Sequence, residues 1–330
     1  MYDGFLTDVP GILLGHAENN KSATGCSVAL FPDGAVCGVD VRGSAPGTRE
    51  TDLLKAENLV EKIHGVCLSG GSAFGLAAAN GVMAYLEEQN IGMDVTVCKV
   101  PIVLSAVIFD LTLGDAFIRP DYSMGYIASA NAKTNDKTLG NFGGGCGASV
   151  GKILGNDFAM KSGIGQASLS LGDLKVSSLT VLNAFGDIFD YEEKKQIGGC
   201  YDRKNKKFLS TQTLYKNMNS DYNAFNRTTN TTISLVATNA KLTKANCNKI
   251  SQMAHDGYAR SINPVHTMFD GDTIFTCATD KVRADISLVG MLAAKTISRS
   301  IANAIYGSKA SHGLIAVSYT HLTLPTTPYV

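Results

Sequence analysis

The sequence predicts an α+β fold, and three parts of the chain carry this prediction. The C-terminal third has the pattern of strand, helix, strand and helix, in "TISLVAT", "TKANCNKISQMAHDGYARSIN", "DTIFTCAT" and "DISLVGMLAAKTISRSIANAIYG". The stretch "GIGQASLSLGDLKVSSLTVLNAFGDIFD" alternates apolar with polar residues, as two half-buried strands do. Nearer the N-terminus, a short buried strand from Val66 to Leu68 leads through a Ser-Gly-Gly-Ser turn into a small-residue helix that ends near Asn90.

The N-terminal third carries several local signals. "PDG", residues 32–34, lies between two short apolar runs and predicts a hairpin turn. Ser72 is interpreted as the cap of the small-residue helix that follows it. Thr51 or Asp52 could cap an earlier helix. Its apolar face would carry Leu53, Leu54, Leu59, Val60 and Ile63.

The rest of the chain gives weaker signals outside the C-terminal third. "CKVPIVLSAVIFDLTLGD" predicts a buried element, and the pattern leaves helix and strand open. Residues 188 to 230 are the least apolar region and predict an exposed loop. In the last third, Asp285 predicts the start of the second helix. "HGLIA" predicts a final strand. The tail from Val317 to Val330 resembles translated sequencing-adapter sequence, so we expect it to be non-native and assign no role to His321.

Composition limits the classes of function. Lys plus Arg and Asp plus Glu are 29 each, so the chain lacks the basic field that nucleic acid or an anionic membrane requires. We expect no signal peptide and no transmembrane helix, because the N-terminus lacks a basic region and no window reaches 18 consecutive apolar residues. The 8 cysteines form no CxxC pair, which favours buried free thiols in a reducing cytoplasm over disulfides.

Two motifs invite a cofactor or metal and do not support one. The glycine loop "NFGGGCGAS" precedes Lys152, but Ile153 follows this lysine where a phosphate-binding loop needs Ser or Thr. Close backbone packing or the wall of a cleft is the favoured interpretation. The histidines show neither HxH nor HExxH spacing, so no zinc site is expected. A Ser–His–Asp triad stays open, although "GGSAFG" around Ser72 is not a G-x-S-x-G elbow.

Two short stretches carry candidate chemistry. "HTMFDGDTIF" contains Asp270 and Asp272, which are ordinary in a turn but as paired carboxylates can bind an ammonium group or orient a base. "NTTISLVATN" places Asn230 and Thr231 at the start of a strand. This second stretch fits a plain turn into a strand, or a chain that cuts itself before a nucleophilic threonine. The freed α-amine, with a pKa near ~7.7–8, then acts as the base. The pattern alone leaves both stretches undecided.

Nine motifs in collinear order resolve this ambiguity. They are "DVPGILLGH", "DVRGSAPGTRETDLL", "LSGGSAFGLAAANGVMAYLEE", "VPIVLSAVIFDL", "GCGASVGKILG", "GIGQASL", "VLNAFGD", "NTTISLVATNAKLTKAN" and "PVHTMFDGDTIF". With them the chain resembles the L-aminopeptidase/D-Ala-esterase/amidase family, which includes β-aminopeptidases and 6-aminohexanoate-oligomer (nylon) hydrolases. The resemblance covers about residues 5 to 316.

The resemblance implies a fold and a maturation step. It implies a four-layer αββα sandwich of the N-terminal-nucleophile-like hydrolase type, in one hydrolase domain over residues 1–316. It also implies a cut between Asn230 and Thr231, which would give an α chain of residues 1–230 and a β chain of residues 231–316. No metal or organic cofactor is implied, and the habit of the family suggests a homo-oligomer, a tetramer of αβ units.

The resemblance also implies roles for individual residues. Thr231 would be the nucleophile, and Asn183 would donate a side-chain N–H to the oxyanion, a contribution typically worth ~3–4 kcal/mol. The pair of Asp270 and Asp272 would orient the Thr231 amine and bind the amino end of the substrate. Lys152 matches a lysine near the nucleophile in the nylon-hydrolase branch. One departure is Phe109, which replaces a tyrosine of some members and removes a hydroxyl donor.

Together these features predict a self-processing threonine hydrolase of small peptides or amides with a free amino end. Two alternatives stay open. One is an acyltransferase of the ornithine acetyltransferase type, which has a related fold and passes the acyl group to an amine instead of water. The other is an unprocessed binding protein. The choice among α-, β-, D- and ω-amino acyl substrates also stays open.

Overall fold

A computed structural model of the protein describes residues 1–218 and 230–317. In these ranges the α-helices are α1 (Ala78–Glu88), α2 (Tyr122–Ala130), α3 (Thr211–Asn217), α4 (Lys244–Ser261) and α5 (Ile286–Tyr306). The strands are β1 (Leu13–Asn19), β2 (Thr24–Val41), β3 (Thr48–Arg49), β4 (Lys62–Ser69), β5 (Met93–Asp94), β6 (Lys99–Val100), β7 (Val103–Val107), β8 (Ser149–Val150), β9 (Met160–Lys161), β10 (Ile164–Leu171), β11 (Leu174–Val181), β12 (Asp187–Asp190), β13 (Lys195–Gly198), β14 (Tyr201–Asp202), β15 (Lys207–Phe208), β16 (Ile233–Ala240), β17 (Ile262–Asn263) and β18 (Thr273–Val282). The predicted mixture of helices and strands is confirmed.

The largest sheet of the described residues is mixed and has nine strands. Its order is β10-β11-β16-β18-β2-β4-β7-β3, and β1 pairs with β2 outside this order. Two neighbouring pairs are parallel, β16 with β18 and β4 with β7. Parallel neighbours need a crossover connection. Helix α4 lies in the connection of the first pair and α1 in that of the second, which explains why strand and helix patterns alternate in these parts of the sequence.

Strand β2 is unusually long, and it corrects the predicted hairpin turn at residues 32–34. The chain continues as one strand through "PDG", and its pairing with β4 shifts register between Leu30 and Ala35. The first half of β2 pairs with β1 and the second half with β18. The "PDG" signal therefore marks a bulge, where a proline is tolerated because local ladder bonds are already interrupted.

Three buried clusters organise the packing around this sheet. In the first, α4 and α5 cover β10, β11, β16 and β18, with Tyr258, Ile297 and Val236 among its members. In the third, α1 and α2 cover β1, β2 and β4. The second, which we call the inner cluster, contains side chains from both halves of the sheet, among them Phe31, Leu68, Leu104, Ile233, Leu235 and Phe275. Successive residues of a strand face opposite sides, so Ile233 and Leu235 enter the inner cluster while Val236 faces the helices.

The predicted helix after Thr51 or Asp52 is wrong. Only one 3₁₀ turn, Asp52–Leu54, forms there, and Ile63 belongs to β4. Leu54 and Ile63 are both buried in the inner cluster, whereas Leu59 between them is exposed. Strand pairing of β4 between β2 and β7 buries Ile63, so the apolar residues of this segment do not form one face of a helix. The undecided stretch after Cys98 forms the strands β6 and β7.

The predicted exposed loop at residues 188–230 is wrong as far as Met218, and residues 219–229 lie outside the described ranges. This region contains β12 to β15 and α3. Polar contacts order it: the buried Asp187 carboxylate accepts hydrogen bonds from the Thr211 nitrogen at 2.8 Å and hydroxyl at 2.7 Å, and from the Cys200 nitrogen at 3.4 Å. A hydropathy pattern does not register such a buried carboxylate.

The C-terminal end is also corrected in part. "HGLIA" forms isolated bridges, Ser311 with Leu314 and Ile315 with Met160, rather than the predicted strand. Val317 is buried against the first cluster. The rest of the predicted tail, with His321, lies outside the described residues.

Several other expectations agree with the fold. All eight cysteines, which lie in the described ranges, are free thiols, and seven of them are buried. No helix in residues 1–218 and 230–317 combines the length and apolar character that crossing a membrane requires. The Asp285 side chain accepts a hydrogen bond from the Leu288 nitrogen at 3.0 Å and caps α5 as predicted.

The cap of α5 gives a stability prediction. Asp285→Ala removes the acceptor for an otherwise unpaired N–H of the first turn, and we expect it to lower the free energy of unfolding by about 1 kcal/mol. Asp285→Asn retains a capping oxygen and should stay within a few tenths of a kcal/mol of the native value. Denaturant unfolding followed by circular dichroism measures both, in chains that also carry Thr231→Ala so that each stays a single polypeptide. An equal loss in the two variants would show that the charge matters rather than the cap.

Candidate active site

Thr231 lies two residues before the N-terminal end of β16, and β16 lies between two other strands. β16 is antiparallel to β11 on one side and parallel to β18 on the other. The first ladder continues beyond the strand with a hydrogen bond from the Thr231 nitrogen to the Asn183 carbonyl, 2.9 Å. The second continues with a bridge between Asn230 and Asp270. Sheet pairing alone thus brings three distant stretches of sequence together at Thr231, which is 5% exposed.

The peptide bond before Thr231 is held by main-chain groups of the β18 side. The Asn230 nitrogen donates to the Phe269 carbonyl at 3.1 Å. The Gly271 nitrogen reaches both the Asn230 carbonyl oxygen, at 3.2 Å, and the Thr231 Oγ1, at 3.1 Å. The Thr231 hydroxyl in turn donates to the Asn230 carbonyl oxygen. A hydroxyl, the adjacent carbonyl and one N–H donor therefore form a single compact group.

Gly271 has no substitute in this arrangement. A Cβ atom at this position would lie 2.6 Å from the Ala45 carbonyl oxygen and 2.8 Å from Thr231 Oγ1. Both distances are shorter than van der Waals contact permits. Only glycine lets its own N–H approach the threonine hydroxyl so closely.

Both polar atoms of the Asn183 side chain are hydrogen-bonded, to the segment around the glycine loop and to the residue Phe109 after β7. Its Oδ1 accepts from Lys152 Nζ at 2.7 Å and from the Ser149 nitrogen at 3.1 Å. Its Nδ2 donates to the Phe109 carbonyl at 3.1 Å. An amide nitrogen has two N–H donors, so one of them is engaged by Phe109. The contact of Asn183 with Thr231 is made by its main-chain carbonyl.

The two aspartates are buried and hydrogen-bonded on the far side of Gly271. Asp272 Oδ1 accepts from the Thr232 nitrogen at 2.8 Å, and its Oδ2 accepts from His266 Nδ1 at 2.8 Å. Asp270 Oδ2 accepts from the Thr267 nitrogen at 2.8 Å and from its hydroxyl at 2.6 Å. These bonds fix the strand start and the turn before β18. In the uncut chain the Thr231 nitrogen is a peptide N–H, and it donates to the Asn183 carbonyl.

Burial brings the pKa values of two predicted site residues close to neutral pH. Desolvation, together with the neighbouring Asp272, raises the pKa of Asp270 to about 7. Desolvation lowers the pKa of Lys152 to about 7, although the carboxylates of Asp270 and Asp110 act in the opposite direction. Both groups can therefore change charge near neutral pH.

A cavity of about 300 Å³ opens on the Asn230–Thr231 bond. Its walls are mostly apolar and include Ala45, Pro46, Val107, Ile108, Phe109 and Phe269. Ser72 also lines it, which corrects its predicted role as a helix cap. The 3₁₀ turn Ser72–Ala77 has Gly71 at its cap position, and no side chain caps it. Ser72 itself has a positive φ of 54°.

The glycine loop packs closely against neighbouring backbone, as one of its two interpretations proposes. A Cβ at Gly145 would lie 2.3 Å from the Ile164 nitrogen. A Ser–His–Asp chain does occur beside this loop, with Ser27 Oγ 2.8 Å from His16 Nδ1 and His16 Nε2 3.2 Å from Asp136. Ser27 is fully buried and accepts from a loop nitrogen, so this chain is structural. No cluster of three His, Cys, Asp or Glu side chains in the described ranges could hold a metal ion.

The structure brings all five predicted side chains into one neighbourhood, and it adds groups that sequence reasoning missed. The additions are the N–H of Gly271, the carbonyl of Phe269 and the imidazole of His266. The first two are main-chain groups, and a residue type in the sequence does not predict their role. His266 stands in "PVHTMFDGD", and its proximity to the aspartates in sequence was the available signal.

Known proteins resemble this chain over most of its length. An uncharacterized aminopeptidase of Mycobacterium tuberculosis is 41% identical over 290 residues, which cover 84% of this chain and 82% of the relative. A 6-aminohexanoate-oligomer endohydrolase of Agromyces sp. is 31% identical over 280 residues, 83% of this chain and 75% of the relative.

Solved structures share the fold at lower identity. A β-aminopeptidase of Burkholderia sp. superimposes with a TM-score of 0.67 at 18% identity, over 98% of this chain and 95% of the other. The L-aminopeptidase D-Ala-esterase/amidase of Ochrobactrum anthropi, described as a variant of the Ntn hydrolase fold, gives 0.69 at 16% identity, over 92% and 86%. The profile of Peptidase family S58 matches residues 5–316, so the predicted family resemblance is confirmed and the chain belongs to that family.

Proposed function

We propose that the protein is a self-processing hydrolase that cleaves peptide or amide bonds through an acyl-enzyme on Thr231. One observation carries the proposal: the Thr231 hydroxyl contacts the Asn230 carbonyl, and the Gly271 N–H reaches both oxygens. The names of the relatives, an aminopeptidase and an oligomer endohydrolase, agree with cleavage of an amide bond. The small cavity beside Thr231 suits a small peptide or amide as the substrate.

The first reaction is the cut of the chain itself. Thr231 Oγ1 attacks the Asn230 carbonyl carbon, and the Gly271 N–H donates to the oxyanion that forms. The hydroxyl proton passes to the Thr231 nitrogen, which leaves as the new α-amine and stays near the Asn183 carbonyl. Water then hydrolyses the ester and releases the Asn230 carboxylate. The products are an α chain of residues 1–230 and a β chain that begins at Thr231.

The second reaction repeats the chemistry on a substrate. The α-amine of Thr231 takes the hydroxyl proton, Oγ1 attacks the substrate carbonyl, and the amine of the substrate leaves with that proton. Water then hydrolyses the acyl-enzyme and regenerates Thr231. The second N–H of the Asn183 amide is the further oxyanion donor in this proposal, and Lys152 fixes the orientation of that amide through its bond to Oδ1.

The fold gives this proposal its frame. We assign the three buried clusters to the spaces between the four layers of an αββα sandwich, with α4 and α5 outside one sheet half and α1 and α2 outside the other. Residues 1–316 then form one hydrolase domain that the cut divides. The tetramer of αβ units and the cytoplasmic location stay predictions.

Self-cleavage has a sharp test in the two adjacent threonines. Thr231→Ala removes the nucleophile, so we expect an intact 34.8-kDa chain with no amidase activity, whereas the native chain gives two fragments. Thr232→Val is the matched control, because the buried Thr232 hydroxyl has no hydrogen-bond partner among the described residues. That variant should be cut like the native chain. Intact mass spectrometry of the denatured proteins shows which of the three chains are cut, and an amide-hydrolysis assay measures their activity.

Other outcomes of this experiment decide against the proposal. A native chain that stays whole would contradict self-processing and favour the unprocessed binding protein. Amide hydrolysis by Thr231→Ala would exclude Thr231 as the nucleophile. Transfer of acetyl from acetyl-ornithine to glutamate, without release to water, would identify the acyltransferase instead.

The raised pKa of Asp270 predicts a pH dependence of stability. A folded-state pKa of about 7, against an ordinary 3.8, means that the folded chain binds this proton more tightly than the unfolded chain does. The stabilisation is fully present below about pH 3.8 and is lost as pH rises through 7. Asp270→Asn removes the titration and retains an oxygen for Thr267.

We therefore expect the free energy of unfolding of the protein with Asp270 to fall, relative to that of Asp270→Asn, by roughly 1–4 kcal/mol between about pH 4 and about pH 8. Both versions carry Thr231→Ala so that each is a single chain. Denaturant unfolding at four or five pH values gives the difference. A difference independent of pH would show that Asp270 does not titrate in this range.

A further inference from the structure

The residue before the nucleophile marks the acyl site, and the inference drawn from it rests on the proposed function. In the uncut chain, Asn230 supplies the carbonyl that Thr231 attacks. The acyl residue of a substrate must later bring its own carbonyl to the same hydroxyl. We propose that the acyl site is built for an L-α-amino acyl residue with an apolar side chain of about the size of leucine.

The main-chain contacts of Asn230 identify the α-amino acyl unit. Its nitrogen donates to the Phe269 carbonyl at 3.1 Å, and its carbonyl oxygen accepts from the Gly271 nitrogen at 3.2 Å. These two contacts form the bridge to Asp270. When Asn230 leaves, one acceptor and one donor remain beside Thr231, at the spacing of a nitrogen and a carbonyl joined by one α-carbon. An α-amino acyl residue pairs with both.

Other amino acyl groups pair with only one of them. A 6-aminohexanoyl group places a methylene opposite the Phe269 carbonyl, which leaves that acceptor unpaired. No Asp or Glu is among the described residues that line the cavity, so an amino group of the acyl residue depends on a neutral acceptor, and the Phe269 carbonyl suits the α-position. Both aspartates nearby are buried and already accept hydrogen bonds, Asp270 from Thr267 and Asp272 from Thr232 and His266.

The Asn230 side chain defines the second half of the specificity. It is 1% exposed, and neither of its polar atoms has a hydrogen-bond partner among the described residues. A leucine side chain has nearly the same shape and no polar atoms that need partners, so it fits these surroundings better. The adjoining cavity of about 300 Å³, with Phe109, Val107 and Phe269 in its walls, adds apolar room.

Chirality follows from the same contacts. Asn230 is an L-residue in a parallel bridge, and its two main-chain bonds fix which side of the backbone the Cβ leaves from. A D-residue that kept both bonds would direct its side chain away from this space. We therefore expect the L-enantiomer to be the better substrate.

A panel of four p-nitroanilides tests the proposal with the native, self-cleaved enzyme. L-Leucyl p-nitroanilide carries every feature, and 4-methylpentanoyl p-nitroanilide is the same compound without the α-nitrogen. D-Leucyl and 6-aminohexanoyl p-nitroanilides complete the panel. We expect kcat/KM for L-leucyl to exceed that of the other three by about tenfold to a hundredfold. For 4-methylpentanoyl and 6-aminohexanoyl this is the cost of one buried unpaired group, and for D-leucyl it is the loss of apolar burial of the side chain. Thr231→Ala protein supplies the blank rate.

The outcomes separate this proposal from the proposed function. Equal rates for L-leucyl and 4-methylpentanoyl, or a higher rate for 6-aminohexanoyl, would overturn the α-amino acyl site and leave the hydrolase intact. A self-cleaved enzyme that hydrolyses none of the four also overturns it. An uncut chain whose rates equal those of Thr231→Ala sinks the proposed function itself.

Self-cleavage gives a second measurement that needs no added substrate. Asn230→Leu should be cut at least as fast as the native chain, because leucine suits these surroundings. Asn230→Asp places an unpaired charge there and should be cut at least about tenfold more slowly. Timed samples of cell-free translation on a denaturing gel give the rates. Faster cutting of the aspartate variant than of the leucine variant would contradict an apolar acyl site.

Discussion

The pairing of β16 between β11 and β18 is the constraint on which the site depends. Neither neighbour alone would define it. The antiparallel ladder brings the Asn183 carbonyl to the Thr231 nitrogen, and the parallel ladder brings Gly271 to the Thr231 hydroxyl. Both are continuations of regular sheet hydrogen bonding past the end of a strand. The proposed nucleophile is therefore positioned by central sheet backbone, which is among the stiffest parts of a fold.

The sequence predicted most of the fold where a single segment carries its own period. β16, α4, β18 and α5 follow from alternating or helical apolar patterns and from the cap at Asp285. It failed where a distant partner decides: "PDG" became a bulge because both halves of β2 are buried in one strand. The segment around Asp187 is ordered by a buried carboxylate, which resembles a surface residue in any hydropathy pattern.

The site likewise contains residues that the sequence predicted and residues that it did not. Thr231, Asn183 and Lys152 were predicted from the family resemblance, since no spacing of residues in the sequence relates them. Gly271 and Phe269 contribute main-chain atoms, which every residue type has, so their residue types in the sequence do not mark them as part of the site. The neutral-range pKa values of Asp270 and Lys152 come from burial, and burial depends on the whole fold.

The place of β16 and β18 in the sheet has one more consequence. Both strands lie C-terminal to the proposed cut, yet their outer neighbours, β11 and β2, lie N-terminal to it. A cut before Thr231 would thus leave two polypeptides interleaved within one sheet, unable to dissociate without unfolding. Refolding would then become a bimolecular encounter between fragments, because the pairs β11–β16 and β18–β2 each join strands from opposite sides of the cut. Such an enzyme would be folded once, as a single precursor, and afterwards protected mainly by the slowness of its unfolding.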